Sequence, residues 1–302
     1  MRLWFIESYC IFILLLQACG KPTPAPIYKI PAASLVAYKH PAPPQNQSLV
    51  FAVIGDMGTG DENQYQVGKA MAAVCAQKSC SFVLGLGDNV YDTGVSSIDD
   101  PSWQQMFEKP YKDLDIPFYM TLGNHDYGQN PEAQVAYTKV SKKWKMPATY
   151  YNFTTKSQGV DLQFLALDTM DMGSTQKTWL TDRLKEYPAK WRIAYGHHPW
   201  LSNGAHGNGS SARQKFFEST MCNKVDLYLA GHDHNKEHLD PKCGVHMIIL
   251  GSSGKLRPIN PGANSKYASS TLGFGVFIVG HDSITVEFYN ENQQLEYTNQ
   301  IR

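Results

Sequence analysis

From Leu49 onward the chain alternates between two hydrophobic patterns. LVFAVIG, SFVLGLG, PFYMTLG, LQFLALD, WRIAYGH and VDLYLAGH are short apolar runs of the length expected for buried strands. Between them, QYQVGKAMAAVCAQ, WQQMFEKPY, TQKTWLTDRLKEY and SARQKFFESTMC space their apolar residues three and four apart, which predicts helices. Strands alternating with helices of about three turns predict an α/β domain with largely parallel strands. Beyond Gly244 the pattern turns β-rich. VHMIILG, FGVFIVG, SITVEFYN and QLEYTNQ have hairpin-like spacing and predict antiparallel edges.

Five of these runs end alike. FAVIG is followed by Asp56, and FVLGLG by Asp88 with Tyr91 three residues on. FYMTLG leads to Asn124 and His125, IAYG to His197, and LYLAG to His232 and His234. Groups just beyond the carboxyl ends of strands in an α/β sheet converge on one crevice. The preceding glycines let the backbone turn sharply there. A single strand-Gly-Asp ending is common; five endings with ligand-type side chains point to one site. A buried carboxylate is costly unless something positive holds it.

Carboxylates, a phenol, an amide and imidazoles together form a metal-binding inventory suited to first-row transition metals. Asp56, Asp88, Tyr91, Asn124, His197, His232 and His234 are too many for one tetrahedral ion. They suit two ions sharing a carboxylate, as in two-metal hydrolases. Asp88, in the middle of the set, is the natural bridge. A phenol binds well only when deprotonated, so Tyr91 suggests a hard trivalent ion such as Fe(III).

Composition narrows the picture further. The 302 residues are 42% hydrophobic and 18% charged, which allows a substantial core. The net charge is zero, so no overall field favours nucleic acid or an anionic surface. At the N-terminus, Arg2 precedes an apolar stretch from Tyr9 to Leu16, too short to span a bilayer but suited to a signal peptide over residues 1–18. Leu16-Gln17-Ala18-Cys19 resembles a bacterial lipobox, which implies a lipid on Cys19 and membrane anchoring at the periplasmic or cell-surface side. An ordinary secretory signal is the alternative. The Pro/Ala-rich segment 19–47 predicts an extended tether, and the catalytic domain is expected over 48–302. Four further cysteines suggest disulfides, and proximity pairs Cys75 with Cys80 and Cys222 with Cys243.

In their order, GDMG, GDNVY, GNHD, GHHP and GHDH resemble the metallophosphoesterase superfamily. The tyrosine of GDNVY is similar to that of the purple acid phosphatases of the small tartrate-resistant type. The resemblance runs from about Val50 to Phe288 and includes KLRP, Lys255 to Pro258. It implies a four-layer α-β-β-α sandwich of two mixed β-sheets. It also implies hydrolysis of phosphate monoesters at acidic pH by a metal-bound hydroxide. Asp56, Asp88, Tyr91 and His234 would hold Fe(III). Asn124, His197 and His232 would complete a second, divalent site (Fe(II), Zn or Mn), with Asp88 between the two. His125, and His206 nine residues after His197, match the family's catalytic histidines. The match is looser around His206, where Asn203-Gly204-Ala205 replaces bulkier residues.

Small phosphomonoesters are therefore the expected partners, with no specific nucleic acid and a monomeric chain. The same machinery acting on diesters or nucleotides is the nearest alternative, and a non-catalytic metal- or phosphate-binding lipoprotein a more distant one. Redox cycling of the iron is a conceivable side activity. His198 has no assignment. His238 is expected on a solvated polar loop, His40 in the tether, His246 and His281 in β-rich stretches, and Trp144, Trp179 and Trp191 in the core. The sequons at Asn46, Asn152 and Asn208 are set aside because the lipobox points to a bacterial host.

Overall fold

The computed structural model describes residues 38–302. The expected signal peptide, Cys19 and the tether as far as residue 37 lie outside the described residues. Two sheets carry the fold. The first has eight strands, in the order β1 (Tyr38–Lys39), β6 (Tyr151–Ser157), β7 (Val160–Ala166), β8 (Trp191–Tyr195), β9 (Leu227–Ala230), β11 (Val245–Leu250), β10 (Lys236–Lys242) and β12 (Ser265–Ser269). The second has seven, in the order β15 (Leu295–Ile301), β14 (Ile284–Asn290), β13 (Gly273–Val279), β2 (Leu49–Ile54), β3 (Phe82–Gly85), β4 (Phe118–Met120) and β5 (Trp144–Lys145). Strands β2 to β5 run parallel, as do β7, β8, β9 and β11, while β13 to β15 are antiparallel.

Aromatic rings hold the sheets face to face. Phe51 pairs in register with Phe82 on one side and Phe277 on the other, and the three rings stack at 5.3 and 5.1 Å. On the facing sheet Phe153 stacks on Phe164 at 4.7 Å. The two rows meet edge to face, Phe51 on Phe164 at 5.3 Å and Phe82 on Phe153 at 5.5 Å. All five rings are fully buried. Truncating any one to alanine would cost about 3–5 kcal/mol. This core fixes the relative height of β2, β3 and β4 against β8 and β9, and so the height of the five loops at their ends.

Helices cover both outer faces, giving the four-layer α/β sandwich. α1 (Glu62–Lys78) starts where the Asp61 carboxylate accepts from the Gln64 N–H, and it packs against β2 and β13. A short helix, α2 (Pro131–Tyr137), follows β4. α3 (Ser174–Glu186) and α4 (Ser211–Met221) bury Trp179, Leu180, Phe217 and Met221 against Leu165 and Tyr228 of the eight-stranded sheet. Both expected disulfides are formed. Cys75–Cys80 closes the turn from α1 to β3, and Cys222–Cys243 ties the end of α4 to the β10–β11 turn. Trp144, Trp179 and Trp191 are buried in the core.

Several details depart from the sequence pattern. WQQMFEKPY forms only a short π-turn over Gln104–Glu108. VHMIILG, expected at an antiparallel edge, is β11, inside its sheet and parallel to β9. His238 is not solvated: it lies fully buried in β10, where the Tyr297 hydroxyl meets its Nδ1 at 3.0 Å. Packing against the chain begins before Ser48, because Tyr38–Lys39 already pairs with β6. His40 follows, buried against Phe82, with its Nδ1 3.0 Å from the Tyr119 hydroxyl.

Burial lowers the His40 pKa from 6.5 to about 4. Between those values the unfolded chain binds a proton that the folded chain resists, so this site's contribution to stability falls as pH falls. His40→Gln removes the titration. The wild-type unfolding free energy should therefore drop between pH 7 and pH 5 by on the order of 1–2 kcal/mol more than the variant's, a figure that allows for solvent reaching the ring. Denaturant melts of both proteins at the two pH values measure this, and parallel pH dependences would contradict it.

Candidate metal centre

The parallel strands β2, β3 and β4 stand side by side in one sheet, and β8 and β9 in the other. Their carboxyl ends open on a common edge, and the loops there interlock. The His232 N–H donates to Asp56 Oδ2 at 2.8 Å, and the His197 ring meets the Leu86 carbonyl at 2.9 Å. At Gly87 (φ +84°), an added Cβ would lie 2.7 Å from Gly123 N and 2.9 Å from His197 Cβ, so only glycine lets three loops meet. Asp56, Asp88 and His232 adopt positive φ values of 55°, 50° and 68°. Non-glycine residues pay for that conformation, and such strain concentrates at functional sites.

All seven side chains expected as ligands come together. Around one point stand Tyr91 OH, Asp56 Oδ1, Asp88 Oδ2 and His234 Nε2. The phenol is 3.1 Å from each carboxylate and 3.3 Å from His234, and His234 is 3.3 Å from Asp56. Around a second point stand His197 Nε2, Asn124 Oδ1, His232 Nδ1 and the same Asp88 Oδ2. His197 Nε2 is 3.1 Å from the amide oxygen, 3.1 Å from His232 and 3.5 Å from Asp88. One oxygen, Asp88 Oδ2, therefore belongs to both groups. Ligands about 2.1 Å from an ion stand roughly 3.0–3.4 Å apart, close to the 3.1–3.5 Å spacing found here.

Proton counting tests whether cations fit. The Leu86 carbonyl only accepts, so His197 Nδ1 must carry its hydrogen. In the neutral ring Nε2 then presents a lone pair to Asn124 Oδ1, Asp88 Oδ2 and His232 Nδ1. An N–H in its place serves one of them well; a cation between them satisfies all. Burial, then the charge of Asp88, pushes Asp56 up to about 8, against the pull of His197. Burial lowers His234 to about 4, and Arg257 adds to the effect. Burial also lowers His232, followed by its neighbours His197, His198 and His206. His232 and His234 are thus held in the neutral, ligating form, while Asp56 needs positive charge nearby to stay ionised.

His125 and His206 flank this cluster. His125 Nδ1 is 2.5 Å from the Asp92 carbonyl, and its Nε2 is 4.0 Å from Asp88 Oδ2. The His206 ring stacks on His232 at 4.2 Å, and its backbone N–H donates to Asp233 Oδ1 at 2.7 Å. The small residues before it let the loop pass close by, since a Cβ on Gly204 would lie 2.5 Å from the Asp233 carboxyl carbon. Buried Glu237 secures the same loop by accepting from Asn203 N and Nδ2. His198, unassigned from sequence, lies behind His232 with its Nδ1 2.8 Å from Thr169 Oγ1. Its donor atom lies within 4.8 Å of those of His197 and His232. Burial, then His197, drives it down to about 2.

Sequence reasoning missed Asp126, although it stands inside GNHD. Fully buried, its carboxylate accepts from Asn89 N and Nδ2, Val90 N, Gly123 N and Gln134 Nε2 at 2.8–3.3 Å. Every partner is a donor. One side chain thereby clamps the loop of Asp88 to the loop of Asn124. A recess of about 380 Å³ opens beside Tyr91, His125 and His234, with Lys255 and Arg257 on its wall. A larger groove of about 760 Å³, between α1 and the turn at Asn292, contains none of these residues.

Comparison with known proteins agrees with this geometry. Residues 49–236 match the family model described as calcineurin-like phosphoesterase. Purple acid phosphatase 4 of Arabidopsis thaliana is 35% identical over 246 residues, 74% of this chain and 72% of that one. Human tartrate-resistant acid phosphatase type 5 is 29% identical, covering 70% of this chain and 74% of its own. Among solved structures, GAP50, the anchor in the inner membrane complex of Plasmodium, superposes with a TM-score of 0.77 at 25% identity, covering 85% and 89% of the two chains. The purple acid phosphatase PPD1 from yellow lupin superposes at 0.65 with 17% identity, covering 87% of this chain and 54% of that one, a likeness of fold.

Asp126→Ala leaves several buried N–H groups without an acceptor and frees the two loops it joins. Stability should fall by about 2–4 kcal/mol, and the metal retained after purification should fall below the wild-type level. Denaturant melts and elemental analysis check both. Wild-type metal content in the variant would show that the clamp does not organise the centre.

Proposed function

The chain belongs to the calcineurin-like phosphoesterase family and hydrolyses phosphoesters at a metal centre; we propose that its substrates are phosphate monoesters, cleaved at acidic pH by an Fe(III) ion paired with a divalent ion. The observation that carries this reading is the double donor set sharing Asp88 Oδ2. Asp56, Asp88, Tyr91 and His234 would hold the trivalent ion, because a phenol beside two carboxylates suits hard, highly charged iron. Asp88, Asn124, His197 and His232 would hold the divalent one. When bound, such a pair of ions supplies an activated water and neutralises charge on the phosphoryl oxygens.

The remaining chemistry falls to this chain's own side chains. The Asp92 carbonyl fixes one nitrogen of His125 and leaves Nε2 to carry a proton towards the departing oxygen. His206 is held over His232 by its backbone bond to Asp233, so it faces the phosphoryl group from the other side. Asp126 keeps both ligand loops at their spacing without touching substrate.

A second, non-catalytic reading draws on the likeness to GAP50, described as an anchor. The presence of all seven donors and both flanking histidines favours catalysis.

One set of assays separates the readings. Metal-loaded protein should hydrolyse both phenyl phosphate and an alkyl phosphate such as glycerol phosphate. His125→Ala and His206→Ala should retain metal yet lose a factor of about 10² to 10⁴ on the alkyl ester, whose alkoxide leaves poorly. The loss on nitrophenyl phosphate should be smaller, because that leaving group needs little protonation. Equal losses on both esters would remove the acid role from the two histidines, and a metal-loaded wild type inert to every ester would support the anchoring reading.

A further inference from the structure

Asp56 and His234 stand 3.3 Å apart on the Tyr91 side of the centre, yet they come from different sheets: Asp56 follows β2, whereas His234 leads into β10. Lys236, the first residue of β10, is fully buried, and its Nζ crosses to the seven-stranded sheet. There it forms an ion pair with Glu296 of β15 at 2.7 Å and donates to the Leu272 and Tyr289 carbonyls at 3.1 and 3.4 Å. Glu296 also accepts from the Thr271 hydroxyl at 2.9 Å and the Tyr267 hydroxyl at 3.3 Å. Beyond Leu272 the connections run on to the Asp56 loop. The Gly273 N–H donates to the Ser252 carbonyl at 3.1 Å, and Ser253 Oγ donates to the Gly273 carbonyl at 2.9 Å. Ser253 in turn holds Gly55, giving its N–H to the Gly55 carbonyl at 3.2 Å and accepting the Gly55 N–H on Oγ at 3.4 Å.

Stability alone does not call for such a pair. Two charges taken out of water gain little over apolar side chains of the same size, whereas their directional bonds do fix a geometry. We propose that Lys236 and Glu296 are positioning residues for the metal centre, setting the distance between His234 and Asp56 across the two sheets. Neither touches substrate or the reacting atoms. This role rests on the reading above, in which Asp56, Asp88, Tyr91 and His234 hold an iron ion, and it makes the pair a support for that half. In the other half, Asn124 and His197 stand on loops that the network does not reach, so the divalent ion depends on the pair less.

The test loads the full chain with iron and zinc and follows the visible phenolate-to-Fe(III) band while a chelator competes for metal. Lys236→Met and Glu296→Leu each leave one buried charge without its partner and should lose stability in denaturant melts. The double variant removes both charges and should recover most of that loss. Its iron affinity should nevertheless fall about 10- to 100-fold, the usual effect of losing a group that orients a metal ligand. Zinc, counted by elemental analysis, should be held more nearly as in the wild type. Ser253→Ala cuts the same network beside Asp56 without removing a charge, so it should weaken iron in the same direction. Wild-type iron affinity in the folded double variant would overturn the positioning role, as would equal loss of both metals. Should the double variant fail to fold, Ser253→Ala decides by the same criteria. A wild type that binds metal without the band would instead count against iron beside Tyr91, and chelator competition for zinc in the same variants would then decide the role of the pair.

Discussion

The structure turns on one crowded point. Asp88 Oδ2 and His197 Nε2 lie buried amid other electron-pair donors, each within about 3.5 Å of its neighbours. Hydrogen bonds alone leave several of those lone pairs facing one another. Cations resolve the conflict, and a single carboxylate oxygen common to both halves makes two cations the natural number. The strained backbone at Asp56, Asp88 and His232 is the cost of aiming these groups at the same place.

That aim depends on parts of the molecule that carry no chemistry. The donors come from both sheets, so their spacing is only as good as the packing between the sheets. The edge-to-face rows of Phe51, Phe82, Phe153, Phe164 and Phe277 set it, and close-packed aromatic interiors transmit small shifts rather than absorbing them. Nearer the site, Asp126 fixes the Asp88 and Asn124 loops relative to each other, while Asp233 and Glu237 fix the loop of His206. Buried carboxylates thus position the donor loops and the His206 loop from behind.

Much of the site was legible in the sequence because strand, glycine and polar residue are contiguous there. A local pattern reports Asp56, Asp88, Asn124, His197 and His232 whatever the tertiary detail. What the sequence hid depends on partners far along the chain. KEHLD looks like a polar loop, yet it is the buried strand β10, because Glu296 pairs with Lys236 and Tyr297 meets His238 from about sixty residues away. His40 looked like part of a tether until Phe82 and Tyr119 enclosed it. Asp126 stood in view inside GNHD, but its hydrogen-bond partners in two other segments give it its role. The short strands β1, β5 and β12 have too few residues to show a period.

The central claim is that this fold holds two ions joined through Asp88. Crystals of the metal-loaded protein, with anomalous data collected on both sides of the iron edge, test it directly. The account predicts two peaks with Asp88 Oδ2 between them, and iron at the one beside Tyr91. A single peak, or iron only on the Asn124 side, would contradict it.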